Sequence, residues 1–154
     1  MATGSTYCGR RFGGSFLMIA RCSMTFLAVV LAFSEVSAEQ FEFCSGPVRV
    51  TCVVDGDTFW ISGEKVRLAD IDAPETGGSC EAERILAARA AGRLARLLSA
   101  GPLEIARDGK DRFGRTLAVV SVHGKSVGQT LVEEGLARPW TGRRVDNWCD
   151  TESG

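Results

Sequence analysis

The chain has 154 residues, a hydrophobic content of 45% and a formal net charge of −1, which allows one packed domain once a processed segment is removed. From Glu39 onward, 15 Lys plus Arg stand against 18 Asp plus Glu, giving −3. This excludes the bulk positive charge of a protein that coats nucleic acid; any polyanion must be met by a local cation cluster and few phosphate contacts.

Arg10, Arg11 and Arg21 precede a ten-residue apolar run, Met24 to Phe33, and Val36 and Ala38 then occupy the −3 and −1 places of a small-residue cleavage site. That order predicts a secretory signal peptide over residues 1–38. The run is too short for a membrane anchor, and Arg21 blocks its extension backward. Met18 and Met24 are alternative starts, which would make the first 17 residues an over-long reading. The expected domain is residues 39–154, periplasmic or secreted. Four of the cysteines, Cys44, Cys52, Cys80 and Cys149, fall within it. In an oxidising compartment they predict two disulfides, with three connectivities open. Zinc is the competing use, but no pair has CxxC spacing and His123 is the only histidine.

Val48 to Val54 is valine-rich and reads as a strand, followed by Asp55-Gly56, a two-residue hairpin signal. Thr58 to Ile61 is the second strand. Ser62-Gly63-Glu64 turns the chain into a third, Lys65 to Ile71, which Pro74 ends. Ser79 is the expected N-cap of a helix reaching Ser99, with Glu81 and Glu83 in its first turn. Leu86, Ala90, Leu94, Leu97 and Leu98 share one face of that helix, and Arg89, Arg93 and Arg96 lie off it as a solvated stripe or a nucleic-acid patch. Gly101-Pro102 stops it. Leu103 to Arg107 and Arg115 to Val122 are the fourth and fifth strands, separated by a polar loop that includes Asp108-Gly109-Lys110-Asp111. Ser126 and Gln129 form a capping box for a short helix, Val127 to Glu134, closed by Gly135 with Leu136 packing back. The order β-β-β-α-β-β-α predicts an α+β, mainly β fold, a five-stranded OB-fold barrel.

Residues 53–76 concentrate Asp55, Asp57, Asp70, Asp72 and Glu75 with a single arginine, Arg67. Carboxylates this close repel one another unless a hard cation or protons sit among them. The loops carrying Asp57 and Asp72 lie at the ends of neighbouring predicted strands and can meet. Turn chemistry accounts for Asp55-Gly56 but not for the second carboxylate at Asp57. Asp57, Asp72 and the backbone carbonyl of Ala73 suit a hard cation, and Glu75 is left to take a proton from water. Arg67 and Arg115 can bracket a phosphate, or merely neutralise the acidic loops.

Val54-Asp55-Gly56-Asp57-Thr58, Arg67-Leu68-Ala69-Asp70-Ile71-Asp72-Ala73-Pro74-Glu75, Asp111-Arg112-Phe113-Gly114-Arg115 and Glu134-Gly135-Leu136-Ala137 resemble, in order and spacing, the staphylococcal nuclease (thermonuclease) family. The resemblance spans about residues 48 to 140. It implies an OB-fold nuclease in which Ca²⁺ is held by Asp57, Asp72 and the Ala73 carbonyl, with Asp55 supporting that shell. Glu75 orients or deprotonates the water, and Arg67 and Arg115 hold the scissile phosphate. The implied reaction is calcium-dependent endonucleolytic hydrolysis of single-stranded DNA or RNA to 3′-phosphate products by a monomer. The chain departs from the family at Phe113, where a tyrosine that touches the terminal phosphate is common, and in offering Trp140 beside Arg138 as the base-stacking ring near a short C-terminus. Arg112, Phe113 and Trp140 are the expected substrate contacts. Two other functional classes fit an OB-fold: a non-catalytic binder of nucleic acid or oligosaccharide, and a role in exopolysaccharide synthesis of the succinoglycan kind.

Overall fold

The computed structural model describes residues 39–144, Trp148 and Cys149; the targeting segment expected over 1–38 lies outside them. Among the described residues eight strands form: β1 (Cys52–Val53), β2 (Thr58–Ile61), β3 (Glu64–Leu68), β4 (Ile71–Asp72), β5 (Leu103–Lys110), β6 (Thr116–Val122), β7 (Lys125–Ser126) and β8 (Arg138–Pro139). Helix α1 (Glu81–Leu98) stands between β4 and β5, and α2 (Val127–Glu133) between β7 and β8. The main sheet runs β1-β2-β3-β6-β5 with β7 against β6, while β4 and β8 form a separate pair. β3 and β6 run parallel, with Arg67 opposite Leu117; the other ladders are antiparallel. This is the expected mainly β architecture with two helices. Among the described residues no ladder joins β1 to β5, so the sheet stays open along that seam.

Alternation along the strands separates core from groove. Val66 and Leu68 of β3 are buried, and Lys65 and Arg67 point the other way. In β6 the inward residues are Thr116, Ala118, Val120 and Val122, whereas Val119 is 40% exposed. The apolar members of that set pack with Val53, Phe59, Ile71, Leu94, Leu98 and Leu131 in one core. Helix α1 meets the sheet through Ala87, Ala90, Ala91, Leu94, Ala95 and Leu98. Its alanines allow close approach, and each leucine contributes about 1.5–3 kcal/mol through burial.

Several local expectations change. Asp55-Gly56 is not a two-residue hairpin: four residues, 54–57, separate β1 from β2. A Cβ on Gly56 would lie 2.8 Å from Ala90 Cβ and 2.9 Å from Ala73 Cβ, so this glycine serves close packing of the acidic loop on α1. The true tight turn is Ser62-Gly63, with φ of 49° and 81°, the primed geometry that suits twisted strands. Val48 (77% exposed) and Val50 (55% exposed) lie outside the sheet, and only Cys52–Val53 of the first predicted strand pairs. The third strand divides at Ala69-Asp70, because Ile71 and Asp72 leave the sheet to pair with Pro139 and Arg138. β5 runs on through Lys110, with a register shift between Arg107 and Lys110; residues 108–110 are strand, not loop. The N-cap of α1 is Cys80 rather than Ser79, its sulfur accepting from the Glu83 N–H. Ser126 is the N-cap as expected, with the Gln129 N–H donating to Ser126 Oγ at 3.1 Å, but the Gln129 side chain turns forward to donate to Glu133 at 3.1 Å, so only the N-cap half of the capping box is seen.

Candidate active site

The loop before β2 is tied down by main-chain bonds: Leu68 N–H donates to Asp57 O at 2.8 Å, and Val54 N–H to Thr58 O at 2.9 Å. Asp57 is thereby held 6% exposed, and Asp72, at the end of β4, is 1% exposed. Arg67 projects from β3 between them. Its Nη2 lies 2.9 Å from Asp57 Oδ2 and 3.5 Å from Asp72 Oδ1, so one guanidinium joins the two acidic loops. Ala73 is buried directly after Asp72. Asp55 stands behind Asp57 and accepts its N–H at 3.2 Å. Burial, then repulsion by Asp57 and a side-chain hydrogen bond with it, push the Asp55 carboxyl up to about 7, and Glu75 adds to the repulsion. The floor of the site thus carries more negative charge than Arg67 alone balances.

Arg115 arrives from the turn before β6. Asp111 Oδ1 accepts the N–H groups of Phe113 and Arg115 at 2.9 Å each, and Asp111 Oδ2 accepts Arg115 Nε at 2.7 Å. Burial raises the Asp111 carboxyl, but those donors outweigh it and hold the group below its ordinary value. The turn therefore aims its own arginine. Arg115 Nη1 reaches Thr58 Oγ1 at 3.5 Å, and that hydroxyl donates to Asp57 Oδ1 at 2.7 Å. Both arginines are linked to one buried carboxylate.

Around this network lies a groove of about 840 Å³ lined by Lys65, Arg67, Glu75, Arg112, Phe113, Arg115, Trp140 and Arg144, among others. It holds every residue singled out above for phosphate, proton or base contact. Phe113 is 69% exposed and carries the Arg112 and Arg115 guanidiniums at 4.7 and 5.5 Å from its ring centre. Trp140 is 37% exposed with the Arg67 guanidinium 5.1 Å from its ring. The rings thus back arginines, a cation–π arrangement.

Three contributions are absent from the sequence reading. Arg144 pairs with Glu75. Glu83 is buried and accepts Ser79 N–H at 2.9 Å, Ser79 Oγ at 3.2 Å and Glu75 N–H at 3.5 Å, so α1 supports the loop that carries Glu75. The signal for it was the acidic residue three places into the helix after the cap, whose use here is to hold the preceding loop. Asp70 lies against the first turn of α2, where a Cβ on Gly128 would meet its Oδ2 at 2.4 Å; its main-chain carbonyl accepts Trp140 N–H at 2.9 Å.

The cysteines pair as Cys44–Cys52 and Cys80–Cys149. Cys80, Glu83 and Cys149 bring three ligand-type atoms together, but sulfurs joined in a disulfide are not thiolate ligands. The stripe on α1 is partly neutralised: Arg93 makes a forked pair with Glu134, with nitrogen–oxygen distances of 2.6–3.0 Å.

A family model described as "Staphylococcal nuclease homologue" matches residues 65–150. Endonuclease YncB of Bacillus subtilis (strain 168) is 39% identical over 98 residues, covering 59% of this chain and 46% of the relative. Succinoglycan biosynthesis protein ExoI of Rhizobium meliloti (strain 1021) is 40% identical over 91 residues, 55% of this chain and 48% of the relative. Thermonuclease of Staphylococcus intermedius is 34% identical over 122 residues, 71% of this chain and 73% of the relative. The chain thus spans about half the length of the first two and most of the third. The family match contains Arg67, Asp72, Glu75, Arg115 and the groove-lining tail. With the β-rich fold and the groove it frames, this places the chain in the staphylococcal nuclease homologue family.

Proposed function

We propose that the chain is an exported, calcium-dependent endonuclease that hydrolyses DNA and RNA, chiefly unpaired, to 3′-phosphate products. The observation that carries the reading is the convergence of Arg67, Arg115 and Glu75 on one groove above the buried Asp57 and Asp72. The donor set consists of hard oxygens with a surplus of negative charge, a fit to Ca²⁺ and a poor one to thiophilic metals. Asp57, Asp72 and the Ala73 carbonyl would hold the ion, with Asp55 behind them. When bound, calcium would supply positive charge to the phosphate and favour a water near it.

The chain's own residues carry the rest. Glu75 accepts the proton of the attacking water, whose oxygen forms the new bond to phosphorus. Arg67 and Arg115 hold the equatorial oxygens as their charge grows, with Asp111 fixing Arg115. The bond to the 5′-oxygen breaks, and that oxygen leaves as a hydroxyl with a proton taken from solvent water, while Glu75 later returns its proton to solvent. Arg112, Phe113 and Trp140 border the strand on either side, with the two rings available to bases. Export to the periplasm or medium is supported by two disulfides, which persist in oxidising compartments. A monomer completes the reading.

The test is cleavage of single-stranded DNA and RNA by the disulfide-bonded protein, with calcium or with a chelator. Calcium-dependent release of 3′-phosphate ends is expected, lost in Glu75→Gln and Arg115→Ala. A calcium-induced rise in melting temperature, absent in Asp57→Asn, is the readout independent of turnover. Binding without cleavage would instead support a non-catalytic OB module. The likeness to ExoI favours a second reading, a contribution to exopolysaccharide synthesis. A deletion strain with normal polymer would remove it.

A further inference from the structure

The C-terminal segment places a cation in the groove that none of the family motifs contains. Arg144 lines the groove with Lys65, Arg67, Arg112 and Arg115, and its guanidinium pairs with Glu75. The two side chains are 50% and 45% exposed, and a pair this open to water contributes little and exchanges readily. Its surroundings, by contrast, are fastened. Upstream, the main chains of Asp72 and Arg138 are opposite each other in the β4–β8 ladder, and Trp140 N–H donates to the Asp70 carbonyl. Downstream, Trp148 is buried with the Arg138 guanidinium 4.5 Å from its ring, and Cys149 is bonded to Cys80, the N-cap of α1. Glu83, in the first turn of the same helix, holds the Glu75 main chain. The start of α1 therefore holds the Glu75 main chain and is bonded to Cys149, five residues beyond Arg144 in the sequence.

We propose that Arg144 is a substrate clamp that exchanges partners: it pairs with Glu75 while the groove is free of nucleic acid, and it moves to a non-scissile phosphate when a strand binds, which releases the carboxylate. This rests on reading the groove as a nuclease site. The mobile half of the device is the exposed ion pair, and the fixed half is the tail held by Cys80–Cys149. A strand entering the groove brings phosphates into a cluster of five cations lying beside Glu75 and Asp111, and charge-assisted contact with a phosphate replaces a pair already weakened by water. Arg67 and Arg115 face the scissile position, so the neighbouring phosphate on the Glu75 side is the one left to Arg144. The disulfide sets the effective concentration of that guanidinium at the groove, in the manner of a short tether.

The test compares the full disulfide-bonded chain with Arg144→Ala, Arg144→Lys and Cys149→Ser. Affinity for a fluorescent oligothymidylate is measured in chelator, and steady-state cleavage is measured in calcium. Loss of one charged contact should weaken binding by about tenfold and flatten the dependence of log K on log salt by about 0.7. KM should rise by a similar factor while kcat changes far less. Arg144→Lys should recover most of the affinity, and Cys149→Ser should give an intermediate loss at a temperature where it remains folded. Unchanged affinity and KM in Arg144→Ala would overturn the proposal, as would a fall in kcat alone, the mark of an arginine that merely supports Glu75. If the parent chain binds but does not cleave, the nuclease reading falls while the affinity arm still decides whether Arg144 contacts the strand.

Discussion

The groove has a floor and a rim built on different physical terms. The floor is Asp57 and Asp72, 6% and 1% exposed, fixed where short strands and a close-packed glycine meet the core. The rim is Arg112, Phe113, Arg115, Trp140 and Arg144, held by a turn with its half-buried Arg115–Asp111 pair, by ring contacts and by the Arg144–Glu75 pair open to water. The floor's geometry is decided when the core folds, because buried carboxylates cannot drift without losing their partners. The exposed Glu75–Arg144 pair and the ring contacts of the rim cost little to rearrange. Changes in the floor should therefore move stability and metal affinity together, and changes in the rim should move substrate handling with stability nearly constant.

Glu75, at the boundary, gives the largest expected effect. Glu75→Gln removes the proton acceptor while keeping the shape, and should lower kcat by about 10²–10⁴-fold. Its melting temperature should stay within a few degrees of the parent, since the side chain is 45% exposed. Single-turnover cleavage beside calorimetry checks both; equal losses of activity and stability would erase the distinction between floor and rim.

Arg67→Ala attacks the floor directly. It strips the shared counter-charge from two buried carboxylates and should destabilise the metal-free protein by about 3 kcal/mol. Calcium should restore more stability to this variant than to the parent, because the ion would supply the missing charge. Urea titrations with calcium and with chelator measure the difference, and equal calcium gains in both proteins would argue against a cation between Asp57 and Asp72.

The order of strands and helices was legible because periodicity and caps act locally: β2, both helices and the Ser126 N-cap stand close to where the residues put them. What was not legible depended on distant chain. The break at Ala69-Asp70 follows from pairing with Arg138 and Pro139, nearly 70 residues on by the sequence. Gly56 looked like a turn residue, and its reason is Ala90 on a helix not yet formed. Asp70 had no visible task until α2 came to rest against it. In the site, the linked motifs marked the residues that converge from β3, the loop after β4 and the turn before β6. Arg144 escaped because its partner, Glu75, lies far away in the chain and no local pattern marks the pair.

Asp70 suggests an intermediate effect. Gly128→Ala places a methyl group where Asp70 now sits, which should cost about 1–3 kcal/mol through forced displacement. The same displacement should disturb Trp140, whose N–H rests on the Asp70 carbonyl. Tryptophan fluorescence of the folded variant should shift, and oligonucleotide affinity should fall with it. Lost stability with unchanged affinity would mean that the Asp70–α2 contact does not support the rim.

The smallest effect is a pH dependence at the support of the Glu75 loop. Burial raises the Glu83 carboxyl, but the N–H groups of Ser79 and Glu75 and the Ser79 hydroxyl outweigh it, leaving the group below its ordinary 4.5. The folded chain then binds fewer protons at this site than the unfolded chain. Its stabilising contribution is present above pH 4.5 and is lost as the pH falls through the lower folded value. Asp111 behaves in the same sense, below its ordinary 3.8, because Arg115 and the turn amides overcome its burial. Asp55 has the opposite sign: its contribution is present below 3.8 and is lost as the pH rises through about 7. In chelator, stability should therefore climb through the acid range up to about pH 4.5 and decline from there to about pH 7, levelling off above it. Glu83→Gln should flatten the acid limb while leaving the decline toward pH 7 in place. Urea unfolding from pH 3 to 8 reads both limbs, and an acid limb of unchanged slope in Glu83→Gln would mean that the Glu75 loop takes its order from elsewhere than α1.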